Sequence, residues 1–215
     1  MSWALLYDFF IATGETLYMV ALSTLFAVLL GLPLGTLLYT SAKVKPNAYI
    51  NRLTAAIINI SRSIPFIILL VALIPFTRLL VGTSIGLHAA IVPLTLGATP
   101  FFARLVENVY QNLPGGLIET GYSMGAGSWQ MIRHILIPEA LPALIQAITV
   151  TAITLVNYSA MAGTVGGGGL GDLAIRYGYQ RFNTPVMLST VVVLVVIVQI
   201  LQMAGDRLAI RYTHT

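Results

Sequence analysis

The sequence predicts an all-α integral membrane protein, with five transmembrane helices and two short helices on the cytoplasmic surface. Hydrophobic residues make up 57% of the 215 positions and charged residues 8%, and the mean hydropathy is +0.88. Soluble domains carry about 25% charged residues, because charges cover most of a water-facing surface. The few charges here stand singly between long apolar runs. This pattern excludes a soluble globular domain, a disordered chain and a coiled coil.

The span count follows from the uncharged runs, because one crossing needs about 20 mostly apolar residues. Four uncharged runs are long enough to cross, and a fifth span, Leu53–Thr77, contains one embedded arginine, Arg62. We expect residues 1–215 to form one membrane domain. The four uncharged spans are Thr16–Ala42, Leu79–Ala103, Ala140–Gly171 and Phe182–Gly205.

Helix-terminal residues and small residues agree with this count. Thr184–Pro185 predicts an N-cap followed by proline at the start of the fifth span, and Pro138–Glu139 predicts the start of the fourth. Gly31 and Gly35 form a small-xxx-small face suited to close helix contact. Further prolines, which remove backbone donors, predict kinks. These prolines are Pro33, Pro65, Pro75, Pro93 and Pro100.

The basic residues predict an external N-terminus and a cytoplasmic C-terminus. With five spans in this orientation, six basic side chains fall inside and three fall outside, as the positive-inside rule requires. The inside group is Lys43, Lys45, Arg52, Arg133, Arg207 and Arg211, and the outside group is Arg78, Arg176 and Arg181. No basic patch is present, so no nucleic-acid partner is expected.

Two catalytic motifs match only formally. Gly82-Thr-Ser84-Ile-Gly86, with His88 nearby, matches the nucleophile elbow of hydrolases, so an intramembrane hydrolase is a remote alternative. The motif joins two apolar helices, however, and no acid lies within twenty residues, which favours a connecting turn. The second match, in the glycine run 166–171, has no preceding strand and predicts a flexible external turn. The sequence therefore predicts no catalytic residue.

The histidines are too dispersed for a metal site. A structural or catalytic metal centre needs several ligands brought close together. We therefore predict no metal. The histidines are His88, His134 and His214.

The segment between the third and fourth predicted spans is too polar and too long for a hairpin. Helical spacing extends to Met124, Gly125–Gly127 interrupts it, and Ser128 is a candidate cap for a second helix. Trp129 and Ile132 share one face of that second helix. We predict two short amphipathic helices joined by a glycine elbow on the inner membrane surface. The alternative is an interfacial anchor without a partner.

Residues 116–137 resemble the coupling segment of ABC importer permeases, which docks into a cleft on the ATP-hydrolysing subunit. That family's signature runs Glu-Ala-Ala, then Gly, Ile and Leu-Pro. Here Thr120 and Gly121 replace the two alanines, and Ile137 replaces the leucine. The resemblance implies an ATPase-coupling set of Glu119, Thr120, Gly121, Gly125, Ala126, Trp129, Ile135 and Pro138.

Other motifs resemble the methionine-uptake branch of this family, with Ser61-Arg62-Ser-Ile-Pro65 among them. The resemblance implies a bacterial inner-membrane permease for L- and D-methionine, or alternatively for another small amino acid. It also implies a permease homodimer, two ATPase subunits inside and a substrate-binding protein outside. The permease would be non-catalytic and hold no cofactor, because the ATPase binds ATP and magnesium. The remaining motifs are 74–78, 81–86, 158–163 and 165–171.

A candidate gate lies in the fourth span. Asn157, Tyr158 and Ser159 form its polar cluster, and Met161 follows on the same face as Asn157. An unbranched thioether is suited to closing a narrow pore, so we predict that Met161 forms the constriction and Asn157 lines the pathway. Ordinary packing is the alternative. Arg62 is expected near the inner end of the second span, where it would meet Glu107 or Glu119, line the inner vestibule, or extend to the interface.

Overall fold

The computed structural model describes residues 3–213, which are almost entirely helical. Four helices are long and apolar enough to span a membrane, or five if the bent pair α2–α3 counts as one span. This agrees with the predicted fold class. The helices are α1 (Trp3–Lys43), α2 (Ala48–Ser63), α3 (Phe66–Ala72), α4 (Ile74–Val81), α5 (Leu87–Gln111), α6 (Gly116–Ser123), α7 (Ser128–Gly163), α8 (Gly169–Leu173) and α9 (Thr184–Tyr212).

Helix α5 lies at the centre of the bundle. In its most apolar stretch 67% of the residues are buried, compared with 17% in α9, which lies at the surface of the bundle. The predicted close contact at Gly31 and Gly35 is confirmed. A Cβ at Gly35 would lie 2.3 Å from the carbonyl oxygen of Ala103 and 2.7 Å from Val106 Cβ. Helices α1 and α5 thus meet backbone to backbone.

The second span is broken rather than continuous, which corrects the single predicted run Leu53–Thr77. Helix α2 ends at Ser63, Ile64 is extended, and α3 starts after Pro65 at an angle of 99° to α2. Proline disfavours helical backbone in the residue before it, which explains the break at Ile64. Pro75 lies in the first turn of the next helix, α4.

The second surface helix is not separate from the fourth span, which is a further correction. Helix α7 runs without interruption from Ser128, so Pro138 lies inside it and not at its start. Residues Met131–Leu136 are π-helical, and Ile137 donates its N–H to the carbonyl of Ile132. A π-helical turn accommodates a proline that donates no hydrogen bond to the preceding turn. Ser128 makes no side-chain cap.

The glycine run after α7 is packed and ordered, so the predicted flexible turn is wrong. The fourth span ends at Gly163, and the chain returns as α8, which continues into the π-helical turn Ala174–Tyr179. Gly171 is buried, and a Cβ there would lie 2.3 Å from the carbonyl oxygen of Ala160. Glycine is needed here because two backbones are in contact.

The N-cap of the last helix lies one residue before its predicted position. Asn183, not Thr184, is the N-cap of α9, and its side chain accepts a hydrogen bond from the N–H of Val186. Pro185 lies in the first turn, where backbone N–H groups have no acceptor within the helix, so the N–H that proline lacks is not needed. A Cβ at Gly205 would lie 2.0 Å from Thr149 Oγ1, so α9 packs tightly on α7.

Candidate coupling segment and translocation face

The glycine elbow after α6 is a Schellman motif. Gly125 has φ +76°, its N–H donates to the carbonyl of Tyr122, and the N–H of Ala126 donates to the carbonyl of Gly121. These two bonds satisfy the terminal carbonyls of the helix and require a left-handed residue at the glycine position. Gly125 therefore has the left-handed conformation that this motif requires. A Cβ there would meet no atom within 4 Å, so the conformation, and not crowding, requires glycine.

Gly121 brings α6 against the start of α7. A Cβ at this position would lie 2.6 Å from Met131 Cε and 2.8 Å from Ile135 Cδ1. Met131 is fully buried and Ile135 is partly buried, so the two helices share a small apolar core. The sequence identified Gly121 and Ile135 but missed Met131, which lies between them.

The elbow presents an exposed surface to its surroundings. Met124 is 80% exposed at its tip, Glu119 and Thr120 are also exposed, and Ala126 is half-buried. Pro138 is exposed on the first turns of α7. No sequence pattern singles out Met124, and its exposure becomes evident only from its position at the elbow.

Trp129 lies apart from this exposed elbow. Its side chain is 69% exposed and lines an apolar groove of about 350 Å³ with the inner half of α1. The structure thus brings together Gly121, Ile135 and the elbow glycine, and places Trp129 on the opposite side of α7. The other groove residues are Leu32, Pro33, Thr36, Leu37, Thr40, Ile132 and Ile137.

A hydrogen bond that the sequence does not predict connects the coupling segment to α1. The Tyr122 hydroxyl donates to the backbone carbonyl of Val44, just beyond the last residue of α1. Tyr122 is 46% exposed, whereas Val44 is buried. This hydrogen bond connects the elbow to the C-terminal end of the longest helix.

The four candidate gate residues on α7 divide into two groups. Met161 is 38% exposed and Asn157 is also exposed, and the two lie one turn apart on the same face. Ser159 is buried, and its hydroxyl donates to the carbonyl of Val156. Tyr158 is half-buried and stacks on Phe66 of α3, with ring centroids 4.2 Å apart. Ser159 thus faces the protein interior and not a pathway.

Arg62 lies at the end of α2 away from the α1–α2 connection, and neither of its two expected acidic partners pairs with it. It is the penultimate residue of α2, about 21 Å along the axis from Ala48. It lines a cavity with Tyr158 and with Gly97, which is near the middle of α5. Glu107, its expected partner, accepts hydrogen bonds from Arg104 and Gln111.

Glu119, the other expected partner of Arg62, lines a separate cavity with Lys43 and Gln111. Its carboxylate therefore lies near the C-terminal end of α1, in a different cavity from Arg62. Within residues 3–213 the Arg62 guanidinium forms no ion pair.

The formal hydrolase motif does not form a catalytic pair. The loop Gly82–Gly86 joins α4 to α5, and both of its glycines have positive φ. The element that precedes Ser84 is helix α4 and not the strand that the hydrolase motif requires. The His88 ring packs edge-on against Tyr18. Among the residues that the structure describes, no hydrogen bond joins Ser84 to His88 and no group of three metal-ligating side chains occurs. His214 lies outside the described residues.

Residues 27–212 match the family of inner membrane components of binding-protein-dependent transport systems. The chain belongs to this family. It is therefore an inner-membrane permease subunit of an ABC transporter, a family in which a separate subunit hydrolyses ATP. This confirms the resemblance seen in the sequence.

The curated relatives include permeases named for D-methionine transport. The chain is 54% identical to a probable D-methionine permease, MetI, of Vibrio cholerae, over 94% of this chain and 91% of the relative. It is 58% identical to the D-methionine permease MetI of Escherichia coli K12, over 69% of this chain and 70% of the relative.

Solved structures agree with the fold. A chain of the MetNI methionine ABC transporter, in an inward-facing conformation, is 51% identical with a TM-score of 0.98, and each chain is covered completely. A chain of an amino acid ABC transporter solved with histidines has a TM-score of 0.72 at 19% identity. It covers 95% of this chain and 92% of its own length, and it supports the fold alone.

Proposed function

We propose that this chain forms the membrane pathway for methionine, as both the L and D enantiomers, in an ATP-driven importer. The supporting observation is the 54% identity to a D-methionine permease across nearly the whole chain, together with the 51% identity to a methionine transporter of the same fold. Residues 1–215 then form one permease domain, with residues 116–137 as the coupling segment.

The proposed assembly contains two copies of this chain, two ATPase subunits on the inner face and a substrate-binding protein outside. The family description, a binding-protein-dependent system, supports the external partner. The ATPase binds ATP and magnesium, so this chain needs no cofactor of its own. The lipid bilayer surrounds the exposed apolar face of α9, which includes Val191, Val192 and Ile200.

The N-terminus is external and the C-terminus cytoplasmic in this proposal. The positive-inside rule supports it, because Lys43 ends α1, Lys45 follows it, and Arg207 and Arg211 lie near the end of α9. The same orientation puts α6 and the elbow at Gly125 on the cytoplasmic side. There the exposed Glu119, Thr120 and Met124 contact the ATPase.

Met161 forms the closed constriction and Asn157 lines the pathway in this proposal. Two copies of the exposed α7 face, related by a two-fold axis, would bring the Met161 side chains of the two subunits together. This chain has no cysteine, so a Met161→Cys variant has one thiol per subunit. We expect oxidation to crosslink the nucleotide-free dimer through residue 161, with Val192→Cys on the lipid face as the control. Absent crosslinking, with unchanged leak in Met161→Ala, contradicts the gate.

Uptake by the reconstituted transporter tests the substrate. Proteoliposomes containing this chain, the ATPase and the binding protein should accumulate labelled methionine only when ATP and both partners are present. Competition with unlabelled D-methionine and other small amino acids measures selectivity. ATP-dependent uptake of another amino acid, without uptake of methionine, would contradict the methionine assignment and leave the permease role intact.

A further inference from the structure

The cavity at the α2–α3 break combines features that bind an amino acid zwitterion. It has a volume of about 130 Å³ and lies at the level of Gly97, the eleventh residue of the 25-residue α5, so it is deep in the membrane. The lining residues are Ser61, Arg62, Ile64, Phe66, Leu69, Gly97, Phe101 and Tyr158.

Arg62 lines this cavity from an exposed position on the subunit, and within residues 3–213 no acidic side chain pairs with it. Contact with lipid is costly for an arginine at membrane depth, so such residues face polar cavities and bind anionic groups. The ion pairs within residues 3–213 are Arg104–Glu107 and Arg176–Asp172, neither of which includes Arg62. A planar guanidinium matches a carboxylate through two parallel hydrogen bonds.

The end of α2 supplies the opposite charge beside the same cavity. The helix stops at Ser63 and Ile64 is extended, with φ −85° and ψ 122°. The carbonyl groups of the last helical turn therefore have no following N–H groups to bind. Their partial negative charge attracts a cation such as an α-ammonium group. One ligand carrying both charges, a few ångströms apart, satisfies both groups.

An aromatic wall completes the cavity. Phe66 and Tyr158 stack in parallel, with an angle of 3° between their rings. A Cβ at Gly97 would lie 3.1 Å from Phe66 Cδ2, so this glycine allows Phe66 its position. A thioether gains from contact with aromatic rings. The wall therefore suits a methionine side chain.

We propose that this cavity is an intramembrane binding site for a thioether amino acid zwitterion, in which Arg62 binds the carboxylate and the last carbonyl groups of α2 bind the ammonium. The ligand side chain lies on the Phe66–Tyr158 wall. This assignment rests on the proposed function, because it describes where the transported amino acid pauses. It also explains why the second span is broken at membrane depth.

Direct binding tests the site without the external binding protein. Labelled L-methionine is titrated into the nanodisc-embedded complex of this chain and its ATPase, and binding to the ATPase alone is subtracted. Arg62→Gln should weaken the remaining binding at least tenfold, the smallest change expected from losing a hydrogen bond between charged groups. Arg62→Lys, which keeps the charge, should restore part of it. Arg207→Gln, an exposed arginine outside the cavity, should bind as the unmodified complex does.

An analogue separates recognition from a purely structural role. Methioninol lacks the carboxylate, so at the unmodified complex it should compete at least tenfold less well than methionine. At the Arg62→Gln complex methioninol and methionine should compete equally well. Equal competition at the unmodified complex overturns the proposal, even if Arg62→Gln does not assemble. Unchanged methionine binding in Arg62→Gln also overturns it. Methionine uptake by the complete transporter distinguishes that outcome from failure of the proposed function.

Discussion

Two glycine-rich breaks, at opposite ends of α7, use glycine for different reasons. At the elbow before α7, Gly125 adopts a positive φ in open surroundings, with no atom near a would-be Cβ. The break that follows α7 also contains positive-φ glycines, Gly166, Gly168 and Gly169, but it differs from the elbow at Gly163 and Gly171, where a Cβ would lie 2.3 Å from a backbone atom of the opposing segment. The first break forms an accessible surface, and the second joins two backbones.

The elbow is an exposed surface, which we propose binds the ATPase, whereas the second break is a close-packed frame. The outer break is further fixed by Glu15 and Thr16 of α1, which accept hydrogen bonds from the N–H groups of Gly169 and Leu170. The elbow has one such link, from Tyr122 to Val44. Substitutions at the outer break should therefore affect folding, and those at the elbow should affect assembly.

Gly171→Leu should produce the largest loss of stability. The added side chain cannot avoid the carbonyl of Ala160, so α7 and α8 must separate, at a cost of about 3 kcal/mol from overpacking. Thermal unfolding in detergent should show the melting temperature lowered by roughly 6–12 °C. Gly14→Leu is the matched control, because its Cβ meets nothing within 4 Å. Equal shifts in both variants would contradict the close packing.

Glu15→Ala should have the next largest effect. Removing the carboxylate leaves the Gly169 N–H without its charged acceptor, at a cost of about 2 kcal/mol. Glu15→Gln keeps a neutral acceptor and should recover about half of this loss in the same unfolding assay. An unchanged melting temperature for Glu15→Ala would show that the stability of α8 does not depend on this contact.

Tyr122→Phe should have the smallest effect. It removes one neutral hydrogen bond to Val44, at a cost of about 1 kcal/mol, and keeps the ring. The melting temperature should fall by roughly 2–4 °C. Tyr49→Phe, at a 77% exposed position, is the control. A fall as large as that of Glu15→Ala would mean that the elbow is held as firmly as the outer break.

Local pattern predicted the spans and the glycine elbow because those features depend on nearby residues. The uncharged runs locate α1, α5, α7 and α9, and Gly125 is a left-handed residue that its immediate sequence requires. Gly31 and Gly35 were also identified, since their spacing alone places them on one helical face.

Features set by distant residues could not be predicted. In the sequence, the glycine run 166–171 cannot be distinguished from a flexible turn. It is fixed by Glu15, more than 150 positions away, which accepts a hydrogen bond from the Gly169 N–H. Arg62 is expected beside Glu107 or Glu119, in the inner vestibule or at the interface, because the sequence does not show that α2 ends just after it. Pro138 looked like a helix start, because the π-helical turn that accommodates it has no sequence signature of its own.

Co-purification of the ATPase with elbow variants tests the coupling role most directly. Gly125→Leu forces a branched side chain into left-handed backbone, at a cost of about 1–2 kcal/mol, and so disrupts the elbow. Gly115→Leu is the matched control, because Gly115 is equally open but has an ordinary φ of −57°. We predict that Gly115→Leu retains the ATPase and that Gly125→Leu inserts normally but loses it. Full retention and full transport by Gly125→Leu would contradict the coupling assignment.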